Sequence, residues 1–144
     1  MALLYQLSYL GDVRKHNTNH YTLYTSLMEG LSHYEKEERP WGNFERFTLN
    51  EKTTVKIITV NAGQAISLQT HEHRDEFWRV LKGSGVVHIN GKDMEVHEGD
   101  AVFGKRGDEH RITGGPNGTI FLEIAFGDFD EGDIHRLEDR YGRV

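Results

Sequence analysis

The chain has 144 residues, of which 36% are hydrophobic and 28% are charged. This length predicts a single domain, and the composition excludes a wholly disordered or collagen-like chain. The 23 acidic residues outnumber the 17 basic residues, which gives a net charge of −6. Because a nucleic-acid-binding protein needs a basic surface, we expect no nucleic-acid partner.

The absence of cysteine excludes disulfide scaffolds and thiolate metal sites. No stretch of the sequence approaches the roughly 18 apolar residues of a membrane span. The first residues lack the basic region and the long apolar segment of a signal peptide, so we expect a cytoplasmic protein with no membrane partner. The nine histidines are many for this length, and imidazole is the commonest metal ligand.

The first 36 residues differ from the rest of the chain. Their apolar side chains recur at steps of three and four residues, as on one face of an amphipathic helix. These side chains are Tyr21, Tyr24, Leu27, Met28, Leu31 and Tyr34. The charged run Glu35–Arg39 is typical of a solvated helix end, and Pro40 stops a helix. The sequence therefore predicts an N-terminal extension with one helix over 1–36, followed by a second unit over 37–144.

From Trp41 onward the hydrophobic period changes to two, which is typical of β-strands. Short runs rich in β-branched residues are separated by glycine-rich turns, and Asn90-Gly91 predicts a type I′ hairpin. The runs are Lys52–Asn61, Ala65–Thr70, Glu76–Lys82, Val86–Asn90, Asp93–His97, Ala101–Gly104, His110–Thr113 and Thr119–Phe126. Eight or nine short strands favour a β-sandwich or barrel, with one short helix near Ile134–Arg140.

Four residues have the chemistry of a metal site. His71 and His73 end the run Ala65–Thr70, and alternate residues on a strand point to the same face. Glu76 and His110 each open a further strand. Three imidazoles and one carboxylate suit one divalent ion of Zn, Mn, Fe, Ni or Co, and a site with positions left for water or substrate is catalytic in type. The alternative is that the histidines are ordinary surface residues.

The spacing of these residues resembles the two cupin motifs. Gly63-x7-His71-x-His73-x2-Glu76-x6-Gly83 resembles the first motif, although its gap between His73 and Glu76 is two residues short. Gly99-x7-Gly107-x2-His110 resembles the second motif. The resemblance implies an all-β double-stranded β-helix, or jelly-roll, barrel, here with an N-terminal helical extension.

Three further segments narrow the resemblance. Arg39–Gly42, Ser67–Trp78 and the C-terminal Asp133–Arg143 look like the C-terminal isomerase domain of type II mannose-6-phosphate isomerases. The likeness covers about three quarters of the chain. It implies a metal-dependent aldose–ketose isomerase that interconverts mannose 6-phosphate and fructose 6-phosphate, with the ion bound by His71, His73, Glu76 and His110.

The isomerase reaction also requires a general base close to the sugar. Two residues are candidates for it, His88 on a hairpin strand and Glu123, which faces away from its apolar neighbours Leu122 and Ile124. Gln69 shares strand parity with His71, so it is a candidate fifth ligand or sugar contact.

Four basic residues match the family and could bind an anionic substrate. We assign Arg74 to substrate activation and either Lys56 or Arg136 to the phosphate, since guanidinium binds phosphate with two hydrogen bonds. Arg143 is a further candidate for substrate binding. The alternative is a purely structural role, in which the C-terminal tail is held together by pairing among Arg136, Asp139 and Arg143.

Two alternatives remain open, because cupin barrels carry many chemistries. One is a metal-binding cupin module that binds a sugar or sugar phosphate without turnover, and the other is a cupin oxygenase. The amphipathic N-terminal helix and the exposed barrel faces predict a homodimer.

Overall fold

The computed structural model describes residues 30–143, which form nine β-strands and no α-helix. The strands are β1 (Glu35–Arg39), β2 (Gly42–Arg46), β3 (Thr53–Val60), β4 (Leu68–Thr70), β5 (Asp75–Ile89), β6 (Lys92–His97), β7 (Ala101–Gly104), β8 (His110–Phe126) and β9 (His135–Glu138). The all-β prediction is therefore confirmed. No helix within 30–143 has the length and apolar character needed to cross a membrane.

The strands form one large sheet and one small hairpin. β1 and β2 pair with each other. The seven remaining strands form a sheet with the path β6-β5-β8-β4-β9, in which β3 pairs with β8 and β7 pairs with β5. The predicted Asn90-Gly91 hairpin joins β5 to β6, with both turn residues at positive φ.

β5 and β8 are longer than the sequence predicts. The glycine clusters at 83–85 and 114–118 were expected to end strands, but β5 and β8 each continue through them. A Cβ atom on Gly83 would lie 2.2 Å from the carbonyl oxygen of Gly118, so the two backbones approach closely there. Both glycines have positive φ. Glycine thus bends paired strands around the barrel instead of ending them.

Apolar side chains pack on both faces of the large sheet. The interior cluster contains Val60, Trp78, Val80, Val87, Val96, Val102, Ile112 and Phe121. The outer cluster contains Leu31, Phe77, Ala101 and Ile124, with Tyr34, Phe47, Phe103, Leu122 and Phe126 against it. Trp78 and Val80 face the interior on the same side as Glu76. As predicted, Leu122 and Ile124 lie on the face opposite Glu123.

The structure shows strands at two places where the sequence predicts helix. The charged run Glu35–Arg39 is strand β1, and its cross-strand pairing with β2 replaces the expected helix end. The short helix expected near Ile134–Arg140 is strand β9, which pairs with β4. Most of the predicted amphipathic helix lies outside the described residues. The proposed boundary at residue 36 falls inside β1, and Leu31 already belongs to the outer core.

Candidate metal centre

His71, Glu76 and His110 meet inside the barrel, each from a different segment of the chain. One ligand atom from each of the three lies within 4.8 Å of the others. Nε2 of His71 is 3.2 Å from Oε1 of Glu76, and Nε2 of His110 is 3.4 Å from Oε2. All three side chains are buried. The predicted convergence of these three residues is therefore present.

Backbone carbonyl groups orient both imidazoles. Nδ1 of His71 lies 2.6 Å from the carbonyl oxygen of Asp133, and Nδ1 of His110 lies 2.8 Å from that of Asp108. A carbonyl can only accept a hydrogen bond, so Nδ1 is the donor in each ring. In a neutral imidazole this leaves the lone pair on Nε2, where it can bind a cation, whereas in a protonated imidazole Nε2 also carries a proton and can donate it toward Glu76. Such hydrogen bonds are the usual way in which metal-binding histidines are held.

The carboxylate of Glu76 is ionised. Burial by itself raises the pKa of Glu76, but contacts with the imidazoles of His110 and His71 and with the guanidinium of Arg74 outweigh it. The pKa therefore lies well below its usual range, and Glu76 carries a negative charge inside the barrel.

The three residues suit a divalent cation. Oε2 of Glu76 and Nε2 of His110 are shielded from solvent and have no hydrogen-bond partner among residues 30–143. Buried polar atoms normally have a partner, and leaving them without one is costly. Because both atoms are electron-pair donors of the kind that bind Zn, Mn, Fe, Ni or Co, a shared cation would satisfy both.

His73 does not join this cluster. β4 ends at Thr70 and the chain bends at Glu72 and His73, so strand parity no longer applies. The side chain of His73 is 72% exposed. The carboxylate of Asp133 fixes this bend by accepting the backbone N–H groups of Glu72 and His73. The prediction that His73 is a metal ligand is therefore wrong.

Gln69 occupies the position beside His71 where a second histidine ligand was expected. Its Nε2 lies 3.3 Å from Nε2 of His71, and its backbone pairs with that of His110. If Gln69 and His71 replace His71 and His73 in the first cupin motif, the two-residue shortfall before Glu76 disappears. The short gap between His73 and Glu76 was thus the sign in the sequence that Gln69 and His71, and not His71 and His73, align with the two histidines of the motif.

This arrangement predicts the effect of Gln69→His. A neutral carboxamide is a weaker ligand for these metals than imidazole, so the variant is expected to bind a divalent ion with a lower Kd. Calorimetric titration with Zn²⁺ or Mn²⁺ measures the change, and Gln64→His is the control because Gln64 lies in the preceding exposed loop. Weaker binding by Gln69→His would contradict the assignment of this position.

Arg74 lies beside the cluster, as expected, but its donors are already engaged. Nε donates to Oε1 of Glu76 at 2.8 Å, and one terminal nitrogen donates to the carbonyl oxygens of Asp130 and Asp133. The other terminal nitrogen is 3.3 Å from Nε2 of His71. Arg74 is 3% exposed. It therefore neutralises the buried Glu76 and ties the 127–133 loop to the barrel.

Glu123 is buried on the interior face of β8. Nε1 of Trp78 donates a hydrogen bond to its Oε2 at 3.2 Å. Burial and the nearby negative charge of Glu76 raise the pKa of Glu123, and the opposing effects of Lys56 and Trp78 are smaller. A carboxylate with a raised pKa beside a candidate metal centre has the properties of a general base.

His88 lies on the outer face of the large sheet, opposite the interior face that carries the metal cluster. It follows Val87, which points into the interior core, and it pairs across the sheet with Arg111. Its Nδ1 contacts the carboxylate of Asp93 on the adjacent strand. The side chain of His88 therefore points away from the metal cluster, and the structure does not bring His88 together with Glu76 and His110.

The remaining basic candidates have different surroundings. Lys56 pairs across the sheet with Glu123, and its ammonium binds Glu131 at 2.8 Å and lies 4.2 Å from the centre of the Phe129 ring. Arg143 binds the carboxylate of Asp139 at 2.6 Å and lowers the pKa of Asp139 to about 2. Arg143 thus pairs within the exposed tail, and its role in substrate binding stays a prediction.

Two residues of the site were not predicted. Asp133 opens the C-terminal signature and positions both His71 and the following bend. Trp78 holds Glu123 and contacts His110, with ring centres 5.4 Å apart. The signature contained the signal for Asp133, but no local pattern connects it with a histidine 62 positions earlier.

The chain matches a known protein family and several characterised proteins. Residues 28–139 match the family described as Mannose-6-phosphate isomerase C-terminal. The mannose-1-phosphate guanylyltransferase ManC of Salmonella typhimurium is 37% identical over 108 residues, covering 74% of this chain and 22% of that protein. The chain spans about a quarter of the length of the curated relatives it matches.

Solved structures show the same barrel. A Klebsiella pneumoniae protein with a double-stranded β-helix domain aligns with a TM-score of 0.54 at 22% identity, covering 78% of this chain and 95% of that chain. A cupin protein from Bacteroides fragilis aligns with a TM-score of 0.50 at 20% identity, covering 63% of this chain and 81% of that chain. The fold is therefore a cupin barrel, and the chain belongs to the mannose-6-phosphate isomerase C-terminal family.

Proposed function

We propose that this chain is a metal-dependent aldose–ketose isomerase that interconverts mannose 6-phosphate and fructose 6-phosphate. The observation that carries the proposal is the buried cluster of His71, Glu76 and His110, with the candidate base Glu123 on the same interior surface. Two ligand atoms of this cluster are buried without a hydrogen-bond partner in the part of the chain that the structure describes. The family match supports the choice of substrate.

A divalent ion bound there would act as a Lewis acid toward the oxygen atoms on C1 and C2 of the sugar. The isomerisation moves one proton from C2 to C1 and a second proton from the C2 hydroxyl to the oxygen atom on C1. Glu123 is the residue we assign to the transfer between the carbons. Because Trp78 holds its Oε2, the proton would pass to Oε1 and return to the neighbouring carbon. Arg74 would keep Glu76 ionised during the transfer.

The proposal predicts metal-dependent turnover by the purified chain. Formation of fructose 6-phosphate from mannose 6-phosphate, followed in a coupled assay, is expected to stop after chelation and to return when Zn²⁺, Mn²⁺, Fe²⁺, Co²⁺ or Ni²⁺ is added. Mannose 1-phosphate is a suitable control because its blocked anomeric carbon cannot form the open-chain aldehyde. Absence of conversion with every ion would remove the isomerase proposal.

A metal-binding cupin module without turnover is the second candidate. Arg74 lies across Glu76 and His71, and its donors are already engaged. Because these donors already have partners within the protein, this arrangement favours binding without reaction. Metal and sugar-phosphate binding in the absence of conversion would select this candidate, and metal-dependent conversion would exclude it. The homodimer stays a prediction.

A further inference from the structure

Arg136 is aligned across the sheet with two residues of the candidate metal centre, Gln69 and His110. It pairs across the sheet with Gln69, and Gln69 pairs on its other side with His110. Residues directly opposite one another in antiparallel strands place their side chains on the same face. The spacing between neighbouring strands puts the Cα atom of Arg136 about 10 Å from that of His110. One cross-strand row thus runs from the metal centre through Gln69 to the half-buried Arg136, next to a register shift between Leu68 and Gln69.

Arg136 has an unsatisfied donor in this row. Its Nε is shielded from solvent and has no hydrogen-bond partner within residues 30–143. The guanidinium group is always charged, so a shielded N–H without an acceptor is costly. Arg74 and Lys56 lie near the same site but are bound to Glu76 and Glu131. Arg136 therefore has an N–H donor that can bind an anion, whereas Arg74 and Lys56 already bind carboxylates of the protein.

We propose that Arg136 binds the phosphate group of the substrate, with the sugar extending along Gln69 to the metal centre. This inference rests on the proposed function and decides between the two phosphate candidates, Lys56 and Arg136. It also sets a rule for substrates: the phosphate lies at the end of the sugar opposite the reacting carbonyl. A sugar 6-phosphate fits this separation, whereas an unphosphorylated hexose leaves Arg136 without a partner.

The test is calorimetric titration of the metal-loaded chain with mannose 6-phosphate and with mannose. Arg136→Met keeps the length of the side chain and removes its charge. Arg140→Met is the matched control, because Arg140 lies in the same C-terminal segment and donates a hydrogen bond to the carbonyl oxygen of Gly63, away from the metal centre. Charged hydrogen bonds of this kind predict about 10- to 100-fold weaker binding of mannose 6-phosphate by Arg136→Met. Binding of mannose should not change.

The outcomes separate this inference from the proposed function. Unchanged affinity of Arg136→Met for mannose 6-phosphate would overturn the phosphate assignment, even in an active enzyme. Loss of affinity in Arg136→Met would support the assignment, even if the wild-type chain shows no turnover. If the metal-loaded wild-type chain binds no mannose 6-phosphate, both proposals are overturned.

Discussion

Alanine at position 71 or 110 is expected to abolish stoichiometric binding of a divalent ion, whereas alanine at position 73 is expected to leave it intact. Removal of either buried imidazole deletes one of the three ligands, while the ring of His73 is largely exposed. Titration with Zn²⁺ or Mn²⁺ measures the difference, and mannose 6-phosphate turnover should follow the same order. Loss of a ligand is expected to weaken binding by more than the roughly 10- to 100-fold typical of outer-sphere changes.

Thermal unfolding of the metal-free variants provides the control for this comparison. His71→Ala and His110→Ala each leave a buried space, so unfolding must be measured before a loss of binding is attributed to the ligand. His73→Ala should unfold like the wild type. Loss of stoichiometric binding in a folded His73→Ala variant would contradict the ligand set.

Replacement of Glu123 by Gln is expected to lower kcat for isomerisation by about 10²- to 10⁴-fold while metal affinity stays unchanged. The carboxamide oxygen can still accept the hydrogen bond from Trp78, but the group can no longer take a proton. Glu95→Gln on the exposed face of β6 is the matched control. A variant with full activity would show that Glu123 is not the base.

The pH dependence gives a second test of the same residue. Burial and the charge of Glu76 raise the pKa of Glu123, and a general base acts only when deprotonated. Activity should therefore fall as the pH drops through this raised pKa, at a higher pH than for an ordinary glutamate. In the residual activity of Glu123→Gln this acidic limb should be missing.

The sequence predicted the barrel and most of the metal cluster because these depend on local alternation and spacing. Glu76, Trp78 and Val80 face the interior as their parity predicts, and Glu123 faces away from Leu122. The assignment of His73 as a metal ligand also relied on strand parity. It failed because parity holds only while the strand continues. The bend after Thr70 depends on Asp133, which is distant in sequence.

Other parts of the structure depend on contacts that no local pattern contains. The glycines at 83 and 118 look like turn residues, yet they allow two long paired strands to bend past each other. The basic candidates could not be ranked from sequence, because their ranking depends on which acceptors already bind them. Arg143 has Asp139 and Lys56 has Glu131, whereas Nε of Arg136 has no partner among the described residues.

The most direct test of the shared metal centre is anomalous diffraction from a crystal soaked with Zn²⁺ or Mn²⁺. One peak is expected inside the barrel, about 2.0–2.2 Å from Nε2 of His71, Nε2 of His110 and a carboxylate oxygen of Glu76. A peak at the exposed ring of His73 in place of this one, or no peak inside the barrel, would contradict the account.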